Sequence, residues 1–258
     1  MLSNTYSQGY SNYPTLEKLK ENKIILPTKE KGVDFGFMES FISELEAYLQ
    51  VTGLSDYELT LEEKEAIDNI EHLCWKVFRV TDIFKIKNTK SILSSQVIFN
   101  SGKTPYLCAS SENNGVASYI TYDESLMDEG QCVFIGGKTF VISYQKENFY
   151  SNDSHNLALY LHKENECHAS SPLIQLFLAT SVFKALRHKY SWGNSISKAK
   201  IQSDIFTLPI NPNTEEIDFS YMQTLISAVQ KLVIRDVVLY ANRKTEATKQ
   251  ASSQEMAR

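Results

Sequence analysis

Apolar side chains recur at helical spacing in two well-separated stretches of the chain. Residues 35–50 carry Phe35, Met38, Phe41, Ile42, Leu45 and Leu49 at spacings of three and four, with Asp34 at the N-cap position. Residues 219–240 repeat the stripe with Phe219, Met222, Leu225, Ile226, Val229, Leu232 and Val233, continued by Val237 to Tyr240, and Asp218 stands where Asp34 stood. Both segments predict helices with one apolar face, the second the longer. Thr60 with Glu63 three residues on is a capping-box signature and predicts a short helix over 60–73. Further along, the period falls to that of strands. The β-branched and aromatic runs 96–100, 104–111, 117–122, 131–145 and 155–163 are bounded by Gly, Asn, Ser and Asp. Gly136-Gly137 predicts a two-residue hairpin turn. Pro172 then opens a helix to His188, with Leu173, Leu176, Phe177, Phe183 and Leu186 at helical spacing and a basic last turn.

This order of elements is itself repeated. KYSWGNSISKAKI (Lys189 to Ile201) has a worn copy in TYSQGYSNYPTLEKL (Thr5 to Leu19), and TLPINPNTEEIDFSYMQTLI (Thr207 to Ile226) echoes ILPTKEKGVDFGFMESFI (Ile25 to Ile42). Each copy runs through Tyr-Ser-x-Gly, a polar stretch with lysines, Leu-Pro, a loop, Asp-Phe-x-aromatic-Met and an apolar-periodic segment. The chain therefore reads as the end of one module, a helix, a mixed module, the same kind of end, and a helix. Tyr190 and Gly193 keep the places of Tyr6 and Gly9 and read as structural.

With 258 residues and 42% hydrophobic content, the chain is long enough for one large or two modest cores. It has no apolar run of membrane-spanning length and no basic-then-apolar leader pattern, which predicts a soluble, cytoplasmic chain. Lys244 to Arg258 is polar and small and predicts a flexible tail. Cys74, Cys108, Cys132 and Cys167 lie far apart without a CxxC pair, as suits buried free thiols in a reducing compartment. The net charge of -5 is unevenly spread: residues 1–74 hold 6 Lys and Arg against 14 Asp and Glu, while residues 75–204 hold 14 against 11. Lys184, Arg187, Lys189, Lys198 and Lys200 form one dense basic cluster, and Lys85, Lys87 and Lys90 another. A local patch of this kind is what phosphate contact requires; a solvated surface is the alternative.

The catalytic patterns are weak. In IGGKT (Ile135 to Thr139) the first glycine of a phosphate loop would fall on Cys132, inside a predicted strand. Asp153, Ser154 and His155 are sequence neighbours on an extended segment, where side chains alternate between faces, so they do not make a relay among themselves. The five histidines, His72, His155, His162, His168 and His188, are scattered, and no HExxH or other dense ligand set marks a metal site. The Asn-Pro-Pro-aromatic motif of a DNA methyltransferase is missing. Glu62 and Lys64, with Asp56 upstream, are the nearest approach to a nuclease centre, in an acidic helical context. No catalytic residue is assigned.

Three segments in order, GKTPYLCASSENNGVASYI (Gly102 to Ile120), GGKTFVISYQKENFYSNDSHNLAL (Gly136 to Leu159) and Phe177 through Pro209-Ile210, resemble the target recognition domain of DNA specificity subunits in restriction-modification systems. These are the S subunits of Type I systems and their relatives. The resemblance implies an α+β chain: a mixed recognition domain flanked by long helices that pair as an antiparallel bundle or coiled coil. It divides the chain into the remnant of a first recognition domain (1–33), a spacer helix region (34–74), a recognition domain (75–212), a C-terminal helix (213–247) and a flexible tail (248–258).

The resemblance also implies that the chain is not itself an enzyme. It would read half of a split site in double-stranded DNA and dock methyltransferase subunits, with or without a restriction subunit. S-adenosylmethionine, ATP and magnesium would be bound by those partners and none by this chain. A homodimer or a complementary half subunit would supply the other half-site. On this reading Lys184, Arg187, Lys189, Lys198 and Lys200 contact phosphates. Ser110, Ser111, Asn113, Asn114, Asn152, Ser154 and His155 offer donors and acceptors to base edges, ordinary turn chemistry being their alternative. Lys103, Lys138 and Trp192 are further DNA candidates. Phe35, Met38, Phe41, Ile42 and Leu45 are expected to meet Phe219, Met222, Leu225, Ile226 and Val229 in the helical pair. A nuclease built on Glu62 and Lys64, a hydrolase on Ser154, and an assembly adaptor without DNA recognition remain open.

Overall fold

The computed structural model describes residues 23, 25–30 and 32–256, the last thirteen of these by backbone alone. The first copy of Tyr-Ser-x-Gly lies outside the described residues. The chain divides into two units, one of residues 1–57 and 234–258 and one of residues 58–233.

In the first unit, strands β1 (Thr28–Lys29) and β2 (Gly32–Val33) form a small antiparallel ribbon ahead of helix α1 (Phe35–Val51). Asp34 caps α1 as expected, its carboxylate accepting from the Phe37 amide at 2.9 Å. Leu49 is buried, but Phe35 and Phe41 are 71% and 55% exposed, and Phe37 stacks on Phe41.

The second unit spans residues 58–233. It begins with helix α2 (Leu61–Asp68), where Thr60 and Glu63 close the capping box. Strand β3 (Trp75–Arg79), the short helix α3 (Val80–Ile83) and strand β4 (Phe84–Asn88) follow, then β5 (Thr104–Leu107), β6 (Val116–Ile120), β7 (Cys132–Ile135), β8 (Ile142–Gln145), β9 (Tyr150–Ser151) and β10 (Leu157–Leu161). Helix α4 (Pro172–Leu186), the one-turn helix α5 (Lys198–Ile201) and strand β11 (Ile205–Pro209) lead into the long helix α6 (Phe219–Met256). The main sheet is antiparallel, in the order β4-β10-β7-β8, with β11-β3 and β6-β5-β9 beside it; only β5-β9 is parallel.

Strands β7 and β10 are buried on both faces, which is why their sequences, CVFI and LALYL, are nearly continuous apolar runs. Val133, Ile135, Leu157 and Leu159 face the large core shared with α4, while Cys132, Phe134 and Ala158 face a smaller one with Leu107 and Phe149. Ser171 caps α4 and Pro172 occupies its first turn.

Several expectations are corrected. The run 96–100 is not a strand: a 3-10 turn occupies Ser94–Gln96, Asn100 takes a left-handed φ of 57°, and the free edge of β5 is filled by β9. Strands β3, β4, β9 and β11 arise where none was predicted. Cys132 is a buried free thiol whose pKa burial raises to about 12, Cys108 is half-buried, and Cys74 and Cys167 are exposed. Helix α6 runs as far as Met256, and KTEATKQASSQEM has strong helix formers and neither Gly nor Pro.

The residues of the second apolar stripe have neighbours within the second unit. Met222 and Leu225 belong to the large core of residues 58–233, Phe219 and Ile226 pack against it, and Val229 is 42% exposed. The first turns of α6 are thus part of the central domain. Asp218 caps them, accepting from the Tyr221 amide at 2.8 Å. Buried Glu63 ties α2 to α6: its carboxylate accepts from Ser227 Oγ at 2.6 Å and meets Lys231 Nζ at 3.1 Å. Burial opposes ionisation of Glu63, but the Ser227 hydroxyl, the Thr60 amide and Lys231 outweigh it and hold the pKa below the ordinary carboxylate value.

Two variants test this packing. Lys231→Met leaves the Glu63 carboxylate buried without its counter-charge and lowers unfolding free energy by about 3 kcal/mol in urea titration. The double variant with Glu63→Gln recovers most of that loss; a double variant no better than the single one removes the pair from the account. Gly137→Ala places a Cβ 2.3 Å from the His155 carbonyl oxygen, and lowers stability by about 1–3 kcal/mol. Gly193→Ala, which meets nothing within 4 Å, stays within about 0.5 kcal/mol of the parent.

Candidate nucleic-acid interface

The β7–β8 hairpin is where the candidate residues meet. Its connection is longer than the predicted two residues: Gly136 N–H donates to Val141 O at 2.8 Å and Phe140 N–H to Gly136 O at 2.9 Å, leaving a four-residue tip. Phe140 holds a left-handed φ of 54°, unusual for a bulky residue. Its ring fixes it there, stacked on Phe183 of α4 and packed on Tyr190, 5.4 Å between centroids.

Three loops close on this tip. Thr139 Oγ1 donates to Ala109 O at 2.9 Å, Gly137 N–H donates to Asn156 Oδ1 at 2.9 Å, and Ile196 N–H donates to Gly137 O at 3.1 Å. Gly136 and Gly137 have no space for a Cβ, which would come within 2.6 Å of Ala109 Cβ and 2.3 Å of His155 O. Their glycines serve close backbone approach. The structure thereby gathers the loops 108–115, 151–156 and 190–197 around Lys138.

In the first loop, Asn113, Asn114 and Gly115 hold left-handed φ values of 46°, 53° and 80°. Asn113 Nδ2 donates to Val116 O and Asn114 Nδ2 to Tyr144 O, both at 3.0 Å, so each amide uses an N–H to hold the loop. Ser110 Oγ accepts from Glu112 N–H at 3.1 Å, and Ser111 is exposed. Turn chemistry thus accounts for Ser110, Asn113 and Asn114.

In the second loop, Asn152 Oδ1 accepts from Asn156 Nδ2 at 3.2 Å, and Ser154 is exposed with its carbonyl accepting from Asn88 Nδ2 at 2.8 Å. Buried Ser151 and Asn156 bond to each other at 3.0 Å, and Ser151 to Thr89 at 2.9 Å. Asp153 and His155, two residues apart, share a face, as the alternation of an extended segment requires: His155 Nδ1 lies 2.8 Å from Asp153 Oδ1. The other Asp153 oxygen meets Lys138 Nζ at 2.9 Å. Burial raises the Asp153 pKa, but the His155 amide, Lys138 and the His155 ring outweigh it and lower it to about 2.

The third loop is a tight turn, Ser191 and Asn194 bridging each other's backbones. Tyr190 is buried and its hydroxyl donates to buried Asp204 at 2.5 Å. Lys189 also binds Asp204 and lies over the Tyr190 ring, which gives it a structural role within the fold. Lys200 Nζ donates to Asn194 Oδ1 at 2.8 Å and Ser195 O at 2.7 Å. Trp192 projects from the tip, 76% exposed. Lys184 and Arg187, on the last turn and C-cap of α4, and Lys198, on α5, are exposed. Lys103 stands apart from the hairpin, lining an open cavity with Tyr119, Gln131, Lys146 and Asn148. Sequence reasoning missed Thr89, Asn156 and Asp204, buried polar residues that carry no motif.

Glu62 and Lys64 are exposed on α2, and the Glu62 pKa is lowered by backbone and Thr60 hydrogen bonds of the helix N-terminus. Among the described residues no group of three or more His, Cys, Asp or Glu is placed to hold a metal ion. No described helix is long and apolar enough to cross a membrane.

A profile of the Type I restriction modification DNA specificity domain matches residues 73–237, more than half of the chain. The chain belongs to this family. All three loops and the hairpin of the specificity domain fall inside the matched span. The chain is 22% identical over 240 residues to S.BcgI, the specificity subunit of a Type II restriction enzyme from Heyndrickxia coagulans, covering 88% of this chain and 63% of that protein. Among solved structures it is similar to the S subunit of a Type I restriction-modification system from M. genitalium, with a TM-score of 0.45, 10% identity, and coverage of 85% of this chain and 56% of that one. A second is the HsdS subunit from Thermoanaerobacter tengcongensis, with a TM-score of 0.42, 14% identity, and coverage of 81% and 51%. The chain thus spans less than two thirds of the length of each of these relatives.

The lowered pKa of Asp153 gives a pH test. A carboxylate depressed on folding contributes stability above its unfolded value near 3.9 and loses that contribution as pH falls through the folded value. Asp153→Asn therefore melts below the parent at pH 6, by on the order of 1 kcal/mol. The difference between the two chains closes as pH falls from about 4 to about 2. A difference independent of pH over that window assigns the loss to something other than the charged pair.

Proposed function

We propose that this chain is the DNA-reading specificity component of a restriction-modification complex, and that it recognises one half of a split duplex site through the loops gathered on the β7–β8 hairpin. The observation that carries the reading is that the family match spans the same residues, 73–237, in which three polar loops converge on one tip. Lys184, Arg187 and Lys198 supply phosphate contacts, which position the domain without reading sequence. Ser111, Asn152, Ser154, His155 and Lys138 face the bases, where a bidentate contact discriminates by about 1–3 kcal/mol. Asp153 orients Lys138 and His155 for that task. The chain is not catalytic on this reading. Methyl transfer or cleavage belongs to methyltransferase and restriction subunits that bind S-adenosylmethionine, ATP and magnesium.

Selection of bound sequences from a randomised duplex pool, at two salt concentrations, tests the proposal. The expected result is enrichment of a short asymmetric motif, with retention that weakens by about 0.9 log unit per log unit of salt for each phosphate contacted. Two copies of the motif at fixed spacing identify a dimer. Retention without enrichment, or no retention, overturns stand-alone recognition.

A further inference from the structure

Trp192 is the most exposed large aromatic of the central domain, at 76%, and it stands on a turn held on both sides. On one side Tyr190 is 3% exposed, bonded to Asp204 and packed on Phe140. On the other, Ile196 N–H is bonded to Gly137 O, and Lys200 Nζ holds both Asn194 and Ser195. Asn194 Nδ2 also reaches back to Lys189 O at 2.8 Å. The turn is fixed at its base while its tip displays an indole to solvent. Such a display loses little conformational entropy on binding, because the ordering is already made within the fold.

Nothing in the fold requires an aromatic at this position. The N-terminal copy of the turn, Tyr6-Ser7-Gln8-Gly9, has Gln8 where Trp192 stands. Nor does the fold require Gly193: its φ is not left-handed, and a Cβ there would meet no atom within 4 Å. This corrects the structural reading given to Gly193 by the repeat and contrasts with Gly136 and Gly137, which are sterically enforced. A flat apolar plate beside a residue with no side chain, on a rim that also carries Lys138 and Lys200, is suited to pressing on another flat apolar surface within a polyanion. Nucleobase faces have that chemistry.

We propose that Trp192 is a base-contacting wedge: its indole stacks on or enters a base step of the bound duplex, and Gly193 lets the turn approach closely enough to seat it. This rests on the DNA-binding reading above. It adds a contact made by shape and stacking, with partial unstacking of the duplex, to contacts made by hydrogen bonds.

Trp75 and Trp192 are the only two tryptophans, so Trp75→Phe makes Trp192 the sole indole reporter. The probe is the randomised duplex pool at low salt, together with any motif it yields. The expected result is quenching of Trp192 emission and protection from acrylamide as duplex is added. Trp192→Ala in the otherwise unaltered chain binds about tenfold or more weakly, and Trp192→Phe recovers part of that loss. Retained binding by the parent with unquenched, unprotected Trp192, or Trp192→Ala binding within about twofold of the parent, overturns the wedge while leaving DNA recognition standing. Absence of any duplex binding by the parent overturns the wedge together with the reading on which it rests.

Discussion

The arrangement of the candidate interface depends on backbones approaching one another at the tip of the β7–β8 hairpin more closely than any side chain would permit. At Gly136 and Gly137 the main chain lies against Ala109 and His155, and hydrogen bonds from Gly137 and Thr139 tie loops that are distant in sequence to one tip. A loop held only by its own turn keeps the freedom of its length; a loop pinned at its middle to a shared support does not. The tip is therefore a register point for several polar segments, and a Cβ at Gly137 disturbs them together.

That support is rigid because of what lies behind it. Strands β7 and β10 place alternate residues in two separate cores, so neither face of the pair is free to yield. Phe140 carries the rigidity forward, since its ring meets α4 through Phe183 and the 190–197 turn through Tyr190. A left-handed bulky residue costs on the order of 1–3 kcal/mol unless its surroundings hold it there. Here two aromatic contacts and the Phe140–Gly136 hydrogen bond do so, and the local strain is tied to the geometry of the site.

Much of this was legible in the sequence where the signal was local. Asp34, Asp218, Thr60-Glu63 and Pro172 announced helix starts, and the β-branched and aromatic runs around β7 and β10 announced strands. The candidate residues of the gathered loops were legible as turn chemistry around glycine and asparagine. What the sequence hid was non-local. The edge of β5 is taken by the two-residue strand β9, which the sequence pattern did not mark. The first turns of α6 carry the same apolar stripe as α1, yet Met222 and Leu225 lie in the central core. Periodicity reports that a face will be covered and not by what. Buried Asp204 and Asn156 had no pattern, because a polar residue inside a core is recognised by its partners alone.

Asp204, Asp153 and Glu63 change how the charge of the domain should be counted. Lys189 is held by buried Asp204, Lys138 by Asp153, and Lys231 by Glu63. A basic cluster read from the sequence treats every cation as available to a phosphate, but a lysine facing a buried carboxylate contributes little net field at the surface. Lys184, Arg187 and Lys198 remain exposed around the gathered loops, with Lys200 keeping its charge on neutral partners. Three or four cations give a shallow salt dependence compared with proteins that neutralise six to ten phosphates. On the proposed reading, affinity for DNA would come in larger part from the fit of pre-set loops to base edges and from a flat contact such as the one proposed for Trp192, terms that reject a wrong sequence as they bind a right one. On the proposed reading, a domain that sets some of its lysines against its own carboxylates would trade part of its general attraction to DNA for contacts that discriminate.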